Sequence, residues 1–95
     1  MGPGDFVYQV KIKKDAQKVL DKLPPKVQRN ISERIHELAD DPRKLVWVEK
    51  MAGFDSRYRF PAGSFRVIFE IEDEELLVIV VKIGSRGDVY KAGGG

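Results

Sequence analysis

The chain contains no cysteine. That absence excludes a disulfide framework, a thiol nucleophile and a zinc–thiolate site. Histidine occurs once, at His36, so a serine–histidine couple or a histidine-rich metal site has little to draw on. No spacing of acids and histidine suits a metal ion, and no metal or cofactor is expected. A glycine-rich phosphate loop is missing as well: Gly84 to Gly87 lacks both the lysine and the following helix. No apolar run approaches the roughly 20 residues of a membrane-spanning helix. The longest, Leu76 to Val81, fits a buried strand. The N-terminus lacks a basic start followed by an apolar stretch, so no signal peptide and no membrane partner are expected, and the cytoplasm is the default location.

What is present suits one small domain. The 95 residues are 42% apolar and 34% charged, the balance of a globular protein with a modest core. The expected domain covers residues 6–91, with Gly- and Pro-rich flexible ends at Met1–Asp5 and Ala92–Gly95. Net charge is only +2, but it is unevenly spread. Glu70, Glu72, Asp73, Glu74 and Glu75 hold five of the 15 acids, leaving ten against 17 basic residues elsewhere. A basic body with an acidic tip can orient on a polyanion.

Phe6 to Lys13 alternates, with Phe6, Tyr8, Val10 and Ile12 on one face, as a half-buried edge strand does. Asp15 is a plausible N-cap for a short helix marked by Ala16, Val19, Leu20 and Leu23. Pro24-Pro25 ends that helix and begins a second, whose apolar stripe is Val27, Ile31, Ile35 and Leu38. The second helix is expected to end near Asp40-Asp41-Pro42. His36 lies beside that stripe and reads as a packing or solvent residue. Leu45 to Met51 is a short strand or a strand-like connection, and Trp47 within it reads as a core anchor rather than a base-stacking platform. Gly53 and Asp55 mark a turn. Leu76 to Ile83, rich in β-branched residues, belongs inside the sheet. The segment from Gly84 to Tyr90 leaves it as a bend. The order is strand, helix, helix and a three-strand antiparallel meander, an α+β fold.

Ser56 to Phe69 organises the rest. It reads as a β-hairpin with Phe60 opposite Phe65, closing a loop from Pro61 to Ser64. Tyr58 then faces Val67, and these four side chains share the core face. The other face carries Arg57, Arg59 and Arg66, with Arg59 directly across from Arg66. Like charges placed opposite each other destabilise a sheet, which points to an anionic partner such as a phosphate backbone.

With metals, thiols and histidine set aside, the chemistry left is arginine plus Tyr90. Arg86 and Tyr90 follow the central strand, and a bend there brings both over the arginine face. RNA can be cut through its own 2′-hydroxyl, given a base, a cation clamp on the phosphate and an acid for the leaving oxygen. Tyrosine, with a pKa of about 10, and arginine, above about 12, are poorly matched to neutral pH. Such a nuclease needs a host surface that orders its substrate.

Three motifs in order resemble the RelE/ParE superfamily of toxins from type II toxin–antitoxin pairs. They are Tyr58-Arg59-Phe60, the run Gly63-Ser64-Phe65-Arg66-Val67-Ile68-Phe69-Glu70-Ile71, and the run Ile83-Gly84-Ser85-Arg86-Gly87-Asp88-Val89-Tyr90. The likeness extends from about Tyr8 to Tyr90. It implies a RelE-like, microbial ribonuclease-like fold and a ribosome-dependent, metal-independent endoribonuclease that cleaves mRNA in the ribosomal A site. By position, Tyr90 matches the base at the 2′-hydroxyl, Arg86 the group at the leaving 5′-oxygen, and Arg66 the phosphate clamp. Arg59 matches a basic residue on the substrate backbone, and Arg57 stands beside it as a further RNA-binding cation. The implied partners are a cognate antitoxin protein, in a toxin–antitoxin hetero-oligomer, and the ribosome with its mRNA. Pro61 replaces a second basic residue that some members carry, and Ser85 replaces a frequent histidine. The alternative within the superfamily is a ParE-like inhibitor of DNA gyrase that acts by binding. A plain nucleic-acid-binding module would leave Tyr90 without a role.

Overall fold

The computed structural model describes residues 8–42, 45–54 and 56–85. The expectations for Phe6, Val7, Asp55, Arg86, Tyr90 and the two chain ends lie outside them. Among the described residues the order is β1 (Gln9–Ile12), α1 (Lys14–Lys22), α2 (Pro25–Glu37), β2 (Glu49–Lys50), β3 (Arg57–Ala62), β4 (Phe65–Glu72) and β5 (Leu77–Ser85). The strands form one mixed sheet in the order β1-β5-β4-β3-β2. β1 is an edge, as its lysines suggested, and runs parallel to β5. The β3-β4-β5 meander is antiparallel, with the short β2 on the far edge.

Two helix boundaries differ from expectation. Lys13, not Asp15, is the N-cap of α1, and it makes no side-chain cap bond. Asp15 sits in the first turn, where its charge complements the exposed amides. α2 stops at Glu37, before the Asp-Asp-Pro signal, and a turn carries the chain onward. Pro25 occupies the first helical position, where its missing N–H costs nothing.

Both helices turn their apolar stripes to one face of the sheet. Ala16, Leu20, Ile31, Ile35 and Leu38 join Tyr58, Phe60, Val67, Phe69, Val78 and Val80 in a single buried cluster. Phe60 and Phe69 are fully buried, with ring centroids 6.1 Å apart. Trp47 is half-buried and meets Phe60 edge-on at 5.0 Å, so it does anchor the core.

The hairpin register corrects the sequence reading. Phe60 lies opposite Val67, Tyr58 opposite Phe69 and Ala62 opposite Phe65. The loop is only Gly63-Ser64, and Gly63 leads it with φ +66, as glycine does in a type II′ turn. Pro61 is a strand residue paired with Arg66. β2 covers β3 only at Tyr58 and Arg59, so at Pro61 one side of β3 is an open edge that tolerates a missing N–H. Because the offset is even, every hairpin side chain keeps its expected face.

β5 holds an irregularity that alternation alone misses. Ile68 pairs with Lys82 but Phe69 pairs with Val80, which leaves Val81 as an extra residue. Strict alternation would place Lys82 with Val78 and Val80 in the core and turn Ile83 outward. The bulge reverses that parity. Ile83 is buried at 2% exposure, and Lys82 joins the open face. Gly84 and Ser85 still belong to β5, paired with Arg66 and Phe65, so the chain has not yet bent away at Gly84 as expected.

Candidate nucleic-acid interface

The sheet face away from the helices carries Arg57, Arg59 and Pro61 on β3, and Arg66, Ile68 and Glu70 on β4. By register it also carries Lys82 and Gly84 on β5 and Glu49 on β2. The arginines do share one face, but Arg59 is not across from Arg66. Arg59 faces Ile68, and Arg66 faces Pro61. The two arginines are diagonal neighbours, which removes the direct like-charge pair.

Two of the three hairpin arginines have built-in carboxylates. Arg57 donates from Nε to Glu70 Oε2 at 3.0 Å, and its guanidinium lies over the Phe54 ring at 4.7 Å. Glu70 is a strand residue that holds Arg57. Arg59 donates from Nε to Glu49 Oε1 at 3.1 Å, across the β2–β3 pairing. Arg66 donates to the carbonyl of the adjacent Phe65 at 3.1 Å. Among the described residues it has no carboxylate partner.

Arg59 and Arg66 line one pocket of about 410 Å³, walled by Glu49, Pro61 and Trp47, with exposed Val46 at its mouth. Arg57 does not line it. Arg34 of α2 sits 4.9 Å from the Trp47 ring centroid, a cation–π contact that steadies the tryptophan from the helix side. Ile68 is only 2% exposed although it lies on the open face. Its neighbours across the sheet are Arg59 and Lys82, side chains of a type whose methylene stems can cover apolar surface while their heads stay in water.

Arg86 and Tyr90 lie outside the described residues. Ser85, the last described residue, pairs with Phe65, the neighbour of Arg66. Sequence reasoning missed Lys82 and Glu49. The signal for Lys82 was the broken alternation at Val80-Val81-Lys82-Ile83. Glu49 carried none, because a two-residue strand has no period to read. No described group of three or more acids or histidines could hold a metal ion. No described helix is long and apolar enough to cross a membrane. His36 is exposed on α2, on the helical side of the sheet.

Comparison with known proteins bears on what this surface is for. Residues 8–90 match the family described as ParE toxin of type II toxin–antitoxin system, parDE. The chain belongs to this toxin family. A RelE-like toxin protein of Escherichia coli is 32% identical over 87 residues, which cover 87% of this chain and 90% of the relative. Toxin RelG of Mycobacterium tuberculosis is 28% identical, covering 88% of this chain and 97% of its own. The toxin fold is equally clear in solved structures. The archaeal RelE–RelB complex of Pyrococcus horikoshii superposes with a TM-score of 0.74 at 30% identity, covering 85% of this chain and 97% of the neighbour. The chain in the intact E. coli RelBE toxin–antitoxin complex gives 0.73 at 24% identity, covering 82% and 95%. This toxin is therefore a RelE/ParE superfamily member with two helices and a five-stranded mixed sheet among the described residues.

Proposed function

We propose that this toxin is a metal-independent endoribonuclease that cleaves mRNA in the ribosomal A site and so stops translation. The observation that carries the reading is Arg66. It stands on the open sheet face, lines a pocket with Arg59, and has no carboxylate partner among the described residues. A guanidinium in that setting suits a phosphate, which it can grip through two parallel N–H donors. In the proposed reaction the substrate's 2′-hydroxyl attacks the neighbouring phosphorus, and the bond to the 5′-oxygen breaks. Tyr90, as its phenolate, takes the 2′-hydroxyl proton, Arg66 stabilises charge on the phosphoryl oxygens, and the departing 5′-oxygen, its charge stabilised by Arg86, takes its proton from water. Arg59 steadies the strand alongside.

Tyrosine and arginine are, as residue types, poor proton carriers at neutral pH, so positioning must supply much of the rate. The ribosome, by fixing the mRNA, is the partner that fits this need. The cognate antitoxin is the other partner, masking the basic face. Purified toxin should barely cut naked RNA yet cut mRNA on ribosomes stalled with an empty A site. Equal rates with and without ribosomes would overturn the reading.

The family's ParE description keeps a second reading in play, inhibition of DNA gyrase by binding. Mapping mRNA 5′ ends after expression separates the two, because a gyrase inhibitor leaves no new ends.

A further inference from the structure

The pocket beside Arg66 already contains an anion of the protein's own. Glu49 sits on the edge strand β2, its side chain 67% exposed, and accepts from Arg59 Nε at 3.1 Å. Among the described residues, its charged neighbours on the pocket wall are Arg59 and Arg66, so these residues bring two guanidiniums and one carboxylate. A pocket of about 410 Å³ has room for one nucleotide unit, since small-molecule sites begin at roughly 300 Å³. Val46 and Trp47 give that volume an apolar side. Among the described residues, no carboxylate opposes an incoming phosphate at Arg66, whereas at Arg59 the phosphate meets a guanidinium already bonded to one.

We propose that Glu49 is an electrostatic gate on this pocket, a carboxylate that competes with the RNA phosphate for Arg59. The proposal rests on the RNA-directed reading of the same face. Glu49 is a positioning residue, not a catalytic one. Its pair with Arg59 is largely exposed, and exposed pairs contribute little to stability. That makes the contact easy to exchange. A single phosphate reaching Arg66 gains one guanidinium, whereas a strand held in register also takes the place of Glu49 on Arg59 Nε as the carboxylate swings out to water. The gate thus favours an ordered polyanion over free phosphate or a loosely bound strand.

The test measures binding of a fully 2′-O-methylated single-stranded RNA, which the proposed chemistry cannot cleave, across a range of salt. Glu49→Gln should bind about three- to tenfold more tightly at low salt, and its salt slope should steepen by about 0.7, the value for one more phosphate contact on a single strand. Glu33→Gln, the same charge change on exposed α2 behind the sheet, should give less than a twofold gain. Glu49→Asp, which keeps the charge at the rim, should stay within about twofold of the parent. Placing Glu49→Gln in an Arg59→Ala background should abolish the gain. If Glu49→Gln matches Glu33→Gln while binding still depends on Arg66, the gate is wrong and the RNA-directed reading stands. If binding does not depend on Arg66 at all, that reading falls and takes the gate with it.

Discussion

Arg57 and Glu70 stand directly opposite each other on β3 and β4, joined by a hydrogen bond of 3.0 Å from Arg57 Nε. Among the described residues, Arg66, on the same face of the same hairpin, has only a backbone carbonyl as partner. This difference separates an arginine held by a carboxylate from the arginine that the proposed reading assigns to a phosphate. Arg57→Ala removes a half-buried ion pair and the packing on Phe54, and should lower stability by about 1 kcal/mol. Arg66→Ala should change it by less than about 0.5 kcal/mol. Chemical denaturation of both variants checks this. An Arg66→Ala variant less stable than Arg57→Ala would contradict the division.

Lys82 reaches the open face only because of the bulge at Val81. It should therefore add to RNA binding as a phosphate contact without reading sequence. Lys82→Ala is expected to flatten the salt slope of binding to single-stranded RNA by about 0.7, with little effect on which sequences bind. A slope identical to the parent would mean that Lys82 serves only to cover Ile68.

Much of the fold was legible in the sequence because periodicity and proline punctuation carry it. The stripe Val27, Ile31, Ile35 and Leu38, and the break at Pro24-Pro25, placed the helices to within a few residues. The alternation in Tyr58-Arg59-Phe60 assigned the hairpin faces correctly. The register could not be read the same way. Pro61 resembles a loop residue, and only the shortness of β2 explains why it is tolerated in a strand. Charge pairing was hidden for a related reason. Glu70 counted only as one of five clustered acids, and its partnership with Arg57 emerges only once the hairpin is paired as Tyr58 with Phe69. The contacts at Arg59 and Arg66 depend on that register, which is why the two are diagonal neighbours and not directly opposite each other.

Leu76 closes the acidic turn between β4 and β5 with φ 50, in the left-handed region. A leucine there is strained, whereas asparagine adopts it readily. The leucine side chain is only half-buried, so little packing opposes the change. Leu76→Asn should stabilise the protein by about 0.5 kcal/mol. A loss of more than about 1 kcal/mol in denaturant unfolding would show that the side chain matters more than the backbone.

An antitoxin that masks the open face has to meet Arg59, Arg66 and Lys82 together. An acidic segment would be steered onto that surface, so its association rate should fall as salt rises from low to physiological strength. Dissociation should change less, because apolar contacts of an amphipathic helix would hold the complex. Stopped-flow association measured at several ionic strengths checks this. A rate indifferent to salt would place the antitoxin elsewhere on the toxin.

Arg66→Ala and Tyr90→Phe together test the proposed chemistry. Tyr90→Phe keeps the ring and deletes only the hydroxyl, so it removes the proposed base without removing a charge. Arg66→Ala removes the unopposed guanidinium of the pocket. Both variants should still fold and bind antitoxin, yet lose growth inhibition. Loss of a positioned base or of an electrostatic clamp costs about 10² to 10⁴ in rate. Their binding should differ. Ribosome affinity should weaken clearly for Arg66→Ala, because a phosphate contact is lost, and hardly at all for Tyr90→Phe. Single-turnover cleavage of ribosome-bound mRNA separates the rate from the affinity. Cleavage at the parental rate by Tyr90→Phe would remove the tyrosine from the mechanism. Full toxicity of both variants without any mRNA cleavage would favour gyrase as the target instead, since binding to a protein surface needs neither the hydroxyl nor the phosphate clamp.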